Sequence, residues 1–264
     1  MLEKITNLIE KHILLLRNNY KGNLNSIYDF KVYNNIFVED IELFKNISKE
    51  SSVVLDFGCG RGTASYILSE LGFKVTGLDV HYDFLSQKLT SYVLPEKKQL
   101  PIWEKTRDLC TNKSLDFVFY DGIKIPFSAC SFDSIFAYAV LEHVDDLENV
   151  LLELNRVLKK EGFLFISRTP NKYSYLEKAA RYLKIPSHKV TLSKKEFIVA
   201  LNKSGFEIEK IELIDFFPSN IPGKNFNSIY QSLHSIIRLL ELVIRLLPIN
   251  IFSHHFRIIA RKKK

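Results

Sequence analysis

The sequence predicts an α/β fold: a doubly wound, mostly parallel sheet with an antiparallel last strand, helices on both faces and a helical cap. Three observations carry this. From Val53 onward, strand-like apolar runs alternate with helical patterns. The first run, Val53-Val54-Leu55-Asp56-Phe57, passes through a turn with glycines at 58, 60 and 62 straight into a helical pattern. The chain then closes on an apolar run, His255 to Ala260, that reads as a last strand. Its 264 residues, 46% of them hydrophobic, suffice for one large domain with an elaborated cap.

In chain order, Ile5, Leu8, Ile9, His12, Ile13 and Leu16 recur at helical spacing and open the chain with a helix. Asn18 to Phe37, rich in Asn and Tyr, reads as a loop, and a short helix over Glu39 to Ile47 precedes the first strand. Strands are expected near 53–57, 73–78, 116–120, 133–140 and 162–167, with helices near 62–71, 82–92 and 145–159 between them. A helix at Ser193 to Ser204 and a strand at Phe206 to Leu213 follow. Asp145 and Asp146 suit a helix N-cap. Three stretches break the rhythm: an insertion at 93–114 with Pro95, Pro101 and Trp103, then 169–192 and 216–254.

The net charge of +7 comes from 37 basic and 30 acidic side chains, partly from Arg257, Arg261 and Lys262 to Lys264. An excess this small reads first as a solvated surface; attraction to anionic lipid or nucleic acid are the competing readings. No nucleic-acid-binding motif stands out. Three cysteines, Cys59, Cys110 and Cys130, without paired spacing argue against a disulfide framework and a zinc site. The amphipathic start carries Glu3 and Glu10 and makes a poor signal peptide, so a cytoplasmic location is expected, with a peripheral position at a membrane as the alternative.

The chemistry gathers at the glycine turn. Glycines at 58, 60 and 62 permit positive φ and let backbone amides approach a ligand. Asp56 points a carboxylate into the same crevice, which would repel a phosphate and welcome an amino group. Asp79 ends the second strand about 20 residues on, the distance at which an acid meets ribose hydroxyls. Asp121 with Gly122 follows the third strand, where an acid can accept from an exocyclic amine. Leu141-Glu142-His143 ends the fourth strand at the carboxyl edge, and His143 is the histidine chosen as a proton acceptor, with loop ordering as its competing role. Phe132 and Asp133 read as structural.

Asp56-Phe57-Gly58-Cys59-Gly60-Arg61-Gly62, Asp79, Asp121 to Phe127, Ser131-Phe132-Asp133 and Leu141-Glu142-His143 together resemble the class I S-adenosylmethionine-dependent methyltransferases. The likeness is greatest to the branch acting on small molecules, lipids and quinone rings, and it covers about residues 50–170. It implies a Rossmann-like sheet and S-adenosyl-L-methionine as cofactor, leaving S-adenosyl-L-homocysteine, with no metal. Asp56 and Gly58, Gly60 and Gly62 would hold the methionine part. Asp79 would hold the ribose, Val80 would lie against adenine, Asp121 would meet the adenine amine, and Gly122 and Leu141 would complete the cofactor set. The 93–114 insertion departs from the family's compact spacing between Asp79 and Asp121. The division expected is a single methyltransferase domain over 1–264, with a cap at 1–48, the cofactor-binding core at 50–170 and acceptor-covering helices and last strands in 171–264.

The sulfonium is already an activated donor, so the reaction is mostly positioning and desolvation, and a base is needed only for an acceptor that must lose a proton. Whether O, C or N is methylated stays open. Candidate acceptor covers are the N-terminal segment with Tyr28 and Tyr33, Arg168 to His188, and 216–254. In the last, Gln231, His234, Arg238, Glu241 and Arg245 form a narrow polar stripe on an otherwise apolar helix. Core packing, a lid or homodimer face, and contact with a membrane interface compete for it, and its charges argue against a spanning helix. A lipid-like acceptor is favoured by an apolar lid. Two other functions stay in view: a nicotinamide-dependent oxidoreductase, which would want G-x-G-x-x-G and no Asp56, and a catalytically silent cofactor-binding scaffold.

Overall fold

A computed structural model describes residues 1–19, 31–81, 96–184, 188, 191–217 and 234–263. The helices are α1 (Leu2–Asn19), α2 (Lys31–Ile47), α3 (Thr63–Glu70), α4 (Glu96–Leu109), α5 (Leu147–Val157), α6 (Tyr175–Tyr182), α7 (Lys194–Lys203) and α8 (His234–Ile244), with a 3-10 turn at Pro248–Phe252. The strands are β1 (Val53–Phe57), β2 (Lys74–Val80), β3 (Leu115–Tyr120), β4 (Phe132–Tyr138), β5 (Leu158–Pro170), β6 (Phe206–Ile214) and β7 (His255–Lys262). They form one sheet in the order β3-β2-β1-β4-β5-β7-β6. The first five run parallel, and β7 runs antiparallel to both β5 and β6, as expected of the last strand. The strand order reverses between β1 and β4, so the ligand crevice of such a sheet opens at their carboxyl ends.

Alternation along β1 splits the core. Leu55 and Phe57 join the face covered by α5 and α7; Val54 joins the face covered by α1, α2 and α3. Phe44 of α2 is fully buried, with Phe73, Phe136, Phe163 and Phe165 within 5.8 Å between ring centroids. The N-terminal helices are therefore part of the core on that face. Asp146 caps α5 by accepting from the Asn149 amide, and Ser193 with Glu196 forms a capping box on α7.

Several boundaries differ from expectation. The supposed insertion at 93–114 holds α4, which packs beside β3 and joins β2 to β3. Pro101 inside α4 costs one ladder bond, while Ile102 and Trp103 become buried. α2 starts at Lys31 rather than near Glu39, because burial of Phe37, Val38, Ile41 and Phe44 outweighs the poor propensity of its asparagines. β4 stops at Tyr138, where Ala139 takes a positive φ of 50° and turns the chain. β5 is longer at both ends than expected and includes residues read as an interruption. The expected helix at 82–92, Tyr28, the Tyr33 side chain, and the Gln231, His234 and Arg238 side chains lie outside what is described. Among the described residues, no helix is long and apolar enough to cross a membrane.

Candidate active site

β1 runs buried to Phe57, and the chain reverses at Gly58, whose amide donates to the Leu78 carbonyl at 2.8 Å. Gly58 (φ +74°) and Gly62 (φ +82°) have no room for a side chain: a Cβ would lie 2.2 Å from Val140 Cγ2 and 2.6 Å from Phe117 Cζ respectively. At Gly60 a Cβ would meet nothing within 4 Å. Two glycines thus seat the turn on the sheet, and the third faces space. Gly62 also starts α3 and orients that helix's first amides toward the crevice.

Asp56 and Asp79 stand on either side of the turn, both buried. Asp56 accepts a hydrogen bond from Ser65 Oγ at 2.5 Å. Asp79 accepts from the Gly60 amide at 2.7 Å and the Val80 amide at 2.8 Å. Burial, then the charge of Asp79, pushes the Asp56 carboxyl up to about 7, and burial pushes Asp79 up to about 6. Among the described residues no cation pairs with either. Two buried acids that lack a cation, beside an open glycine, form a site that a ligand with an ammonium group and hydroxyls would complete.

Val80 and Gly122 lie side by side: a Cβ on Gly122 would lie 3.2 Å from Val80 Cγ2. Asp121 is different. It is exposed, and its Oδ1 closes its own turn by accepting from the Ile123 and Lys124 amides at 2.8 and 2.9 Å, which holds its carboxyl below the usual range. It belongs to the turn beside Val80, outside the buried Asp56–Asp79 pair. The Leu141 side chain is fully buried in the core, so any ligand contact there falls to its backbone.

The sequence reading missed α4. Trp103 Nε1 donates to the Gly60 carbonyl at 2.8 Å and Gln99 Nε2 donates to the same oxygen. The indole stacks on Phe117, with centroids 4.9 Å apart and planes 10° apart. The available signal was Gln99, Trp103 and Thr106 on one helical face. Thr106 leads back to α1. His12 is fully buried, with Nδ1 3.1 Å from Thr63 Oγ1 and Nε2 3.0 Å from Thr106 Oγ1. Thr106 gives its proton to the Ile102 carbonyl, so His12 donates from Nε2 and accepts at Nδ1. Burial holds this imidazole down at about 3, neutral at any working pH. His12 thus bolts the start of α3 to α4. His12→Ala should speed amide exchange across residues 58–63 and weaken binding at the turn about tenfold, and His12→Gln, which can accept and donate, should recover part of both.

The carboxyl edge beyond β4 holds a second polar group. His143 Nε2 lies 3.9 Å from Glu142 Oε1, and burial with nearby His188 takes its imidazole down to about 4. Glu142 is buried, Oε2 has no hydrogen-bond partner among the described residues, and burial pushes the carboxyl up to about 7. His188 Nδ1 sits 2.6 Å from Glu177 Oε1, and this carboxylate raises its basicity against the effect of burial. His254 reaches Ser174 Oγ at 2.9 Å, and His255 reaches Asp215 Oδ2 at 2.7 Å. Four of the seven histidines gather here. Only His143 had been singled out; the pair His254-His255 at the start of a predicted strand was the unused signal.

With this geometry in hand, likenesses to known proteins gain meaning. The profile of a family described as "Methyltransferase domain" matches residues 55–166. A ubiquinone biosynthesis O-methyltransferase of Glaesserella parasuis is 30% identical over 184 residues, 68% of this chain and 71% of that protein. A sterol 24-C-methyltransferase of Kluyveromyces lactis is 30% identical over 177 residues, 63% of this chain and 44% of that protein. Of four other curated methyltransferases, the chain spans only 27–43% of the length. A solved S-adenosylmethionine-dependent methyltransferase of Methanosarcina mazei shares the fold at a TM-score of 0.55 and 18% identity, covering 84% of this chain and 97% of that one.

Proposed function

The chain belongs to the class I S-adenosylmethionine-dependent methyltransferases, and on that premise we propose that it transfers a methyl group to a small-molecule or lipid-like acceptor. The observation that carries the reading is the buried, cation-poor pair Asp56 and Asp79 beside the open Gly60. A nicotinamide enzyme would place its pyrophosphate at this turn, and Asp56 opposes that. S-adenosyl-L-methionine, when bound, supplies a methyl group already activated on sulfur. Asp56 and the amides of the turn would hold its methionine part and Asp79 its ribose. Val80, Gly122 and the backbone at Leu141 would flank the base, with Asp121 Oδ2 left to meet an amine.

The acceptor would lie over the second polar group. If it presents a hydroxyl, two imidazoles compete for the proton, with ring centroids 6.1 Å apart. His143 is neutral but a weak base, whereas His188 has Glu177 to stabilise its protonated form, so His188 fits the role better. A sterol methyltransferase and a ubiquinone-pathway O-methyltransferase among the relatives support a lipid-like acceptor. Such an acceptor suits a cytoplasmic enzyme working at a membrane surface, with 224–248 as the contact; a homodimer face is the other reading of that segment.

Calorimetry with S-adenosylhomocysteine tests this, and its pH dependence follows from the two acids. In the free chain both carboxyls hold protons well above their ordinary range. A ligand that brings an ammonium group needs them ionised, so binding should release protons. Affinity should rise about tenfold or more from about pH 5.5 to about pH 7.5 and then level off. Titrations in buffers of different ionisation enthalpy read the proton release directly. Affinity that falls with rising pH across that window contradicts the assignment.

A further inference from the structure

α8 is docked the wrong way round for a core helix. Of its polar stripe, Glu241 Oε1 accepts the Phe217 amide at 2.7 Å, and Arg245, just past its end, pairs with Glu39 of α2 at 3.7 Å. The polar face therefore points into the protein. Ile236, Leu239, Val243 and Leu246, spaced by three, four and three, share the opposite face and are exposed, Leu239 at 63% and Leu246 at 86%. This excludes core packing for that face. The 3-10 turn continues the surface with Ile249, Ile251 and Phe252, all partly exposed.

Cations border it. Lys178 of α6 places its Nζ 5.8 Å from the centre of the Phe252 ring, which joins α6 to the apolar surface. Tyr182, one turn further on the same helix face, is 88% exposed, with Arg181 and Lys184 exposed beside it. Across 172–184 and 236–254 the acids are Glu177, which is buried, and Glu241, which is held inward, so among the described residues the surface presents no exposed carboxylate.

We infer that α8, the 3-10 turn and the outer end of α6 form a docking surface for a bilayer that carries anionic headgroups. The apolar side chains enter the headgroup–acyl boundary, and Lys178, Arg181 and Lys184 meet the phosphates. A second copy of the chain is the poorer occupant, because a two-fold pairing joins this patch to itself, and across 172–184 and 236–254 it offers no exposed carboxylate among the described residues to meet Lys178, Arg181 and Lys184. The inference deepens the membrane contact suggested for a lipid-like acceptor and rests on that reading for its purpose, though not for its geometry.

The test is sedimentation of the full chain with vesicles of phosphatidylcholine, with and without phosphatidylglycerol. The chain should partition onto the anionic vesicles at least about tenfold more strongly than onto the neutral ones, and salt should weaken the binding. Leu239→Asp with Leu246→Asp should reduce partitioning about tenfold or more, and Lys178→Glu with Lys184→Glu should remove the preference for anionic vesicles. S-adenosylhomocysteine affinity and melting temperature, unchanged in both variants, exclude misfolding. No partitioning by the unaltered chain, or partitioning that ignores these substitutions, overturns the inference. So does a dimer, seen by light scattering, that the leucine substitutions split. Vesicle binding without S-adenosylhomocysteine binding would instead fault the cofactor reading and leave the surface standing.

Discussion

Asp79→Ala should remove measurable S-adenosylhomocysteine binding, a loss of about 100-fold or more. A carboxylate at this position can accept from both ribose hydroxyls, and each charge-assisted bond of this kind contributes about 1.5–3 kcal/mol. Removing it also leaves the amides of Gly60 and Val80, which it accepts at 2.7 and 2.8 Å, without that partner. The Gly60 amide belongs to the turn itself, so the loss reaches the methionine half of the site. Asp79→Asn keeps one acceptor oxygen and the shape, and it should fall between the two. Calorimetry gives the affinities, and a melting curve of each variant separates lost binding from lost folding. Full affinity in Asp79→Ala would falsify the placement of the ribose.

Gly58→Ala should be the most destabilising single methyl in the turn, at about 3 kcal/mol. The positive φ of 74° costs an alanine about 1–2 kcal/mol, and the new Cβ would lie 2.2 Å from Val140 Cγ2, an overpacking of about 1–3 kcal/mol more. Val140→Ala in the same chain removes the Cγ2 contact but leaves Val140 Cβ 2.6 Å from the new methyl, so it should return only part of the steric cost, a coupling of about 1 kcal/mol in a double-mutant cycle read by urea unfolding. Gly60→Ala supplies the contrast. Its Cβ would touch nothing within 4 Å, so stability should fall only by the backbone cost of about 1–2 kcal/mol, while the methyl fills the space where a ligand would lie. One substitution is a stability lesion and the other a binding lesion.

The cofactor half of this site was legible because its chemistry is local. Asp56, three glycines and Asp79 lie in one strand–turn–helix–strand stretch, where spacing along the chain fixes spacing in space. Trp103 and Gln99 were missed because α4 lies in the stretch read as an insertion, although both converge on the Gly60 carbonyl. His12 could be placed on a helix by its periodicity; that its two nitrogens span Thr63 and Thr106 depends on how α1 crosses the sheet face. The acceptor side depends still more on topology. Glu142, Glu177, His188, Asp215 and His255 come from five separate stretches, and only the antiparallel return of β7 brings His255 to the carboxyl edge. The stripe on α8 was visible in sequence, but periodicity cannot say which face turns inward, and here the polar one does.

Calorimetric titration of the unaltered chain with S-adenosylhomocysteine, beside an identical titration with NAD, shows which cofactor the turn between Asp56 and Asp79 holds. S-adenosylhomocysteine should bind saturably at one site, with proton release at neutral pH, and NAD should give no saturable heat. Saturable NAD binding, or no binding of S-adenosylhomocysteine by a chain shown to be folded, would contradict the cofactor assignment.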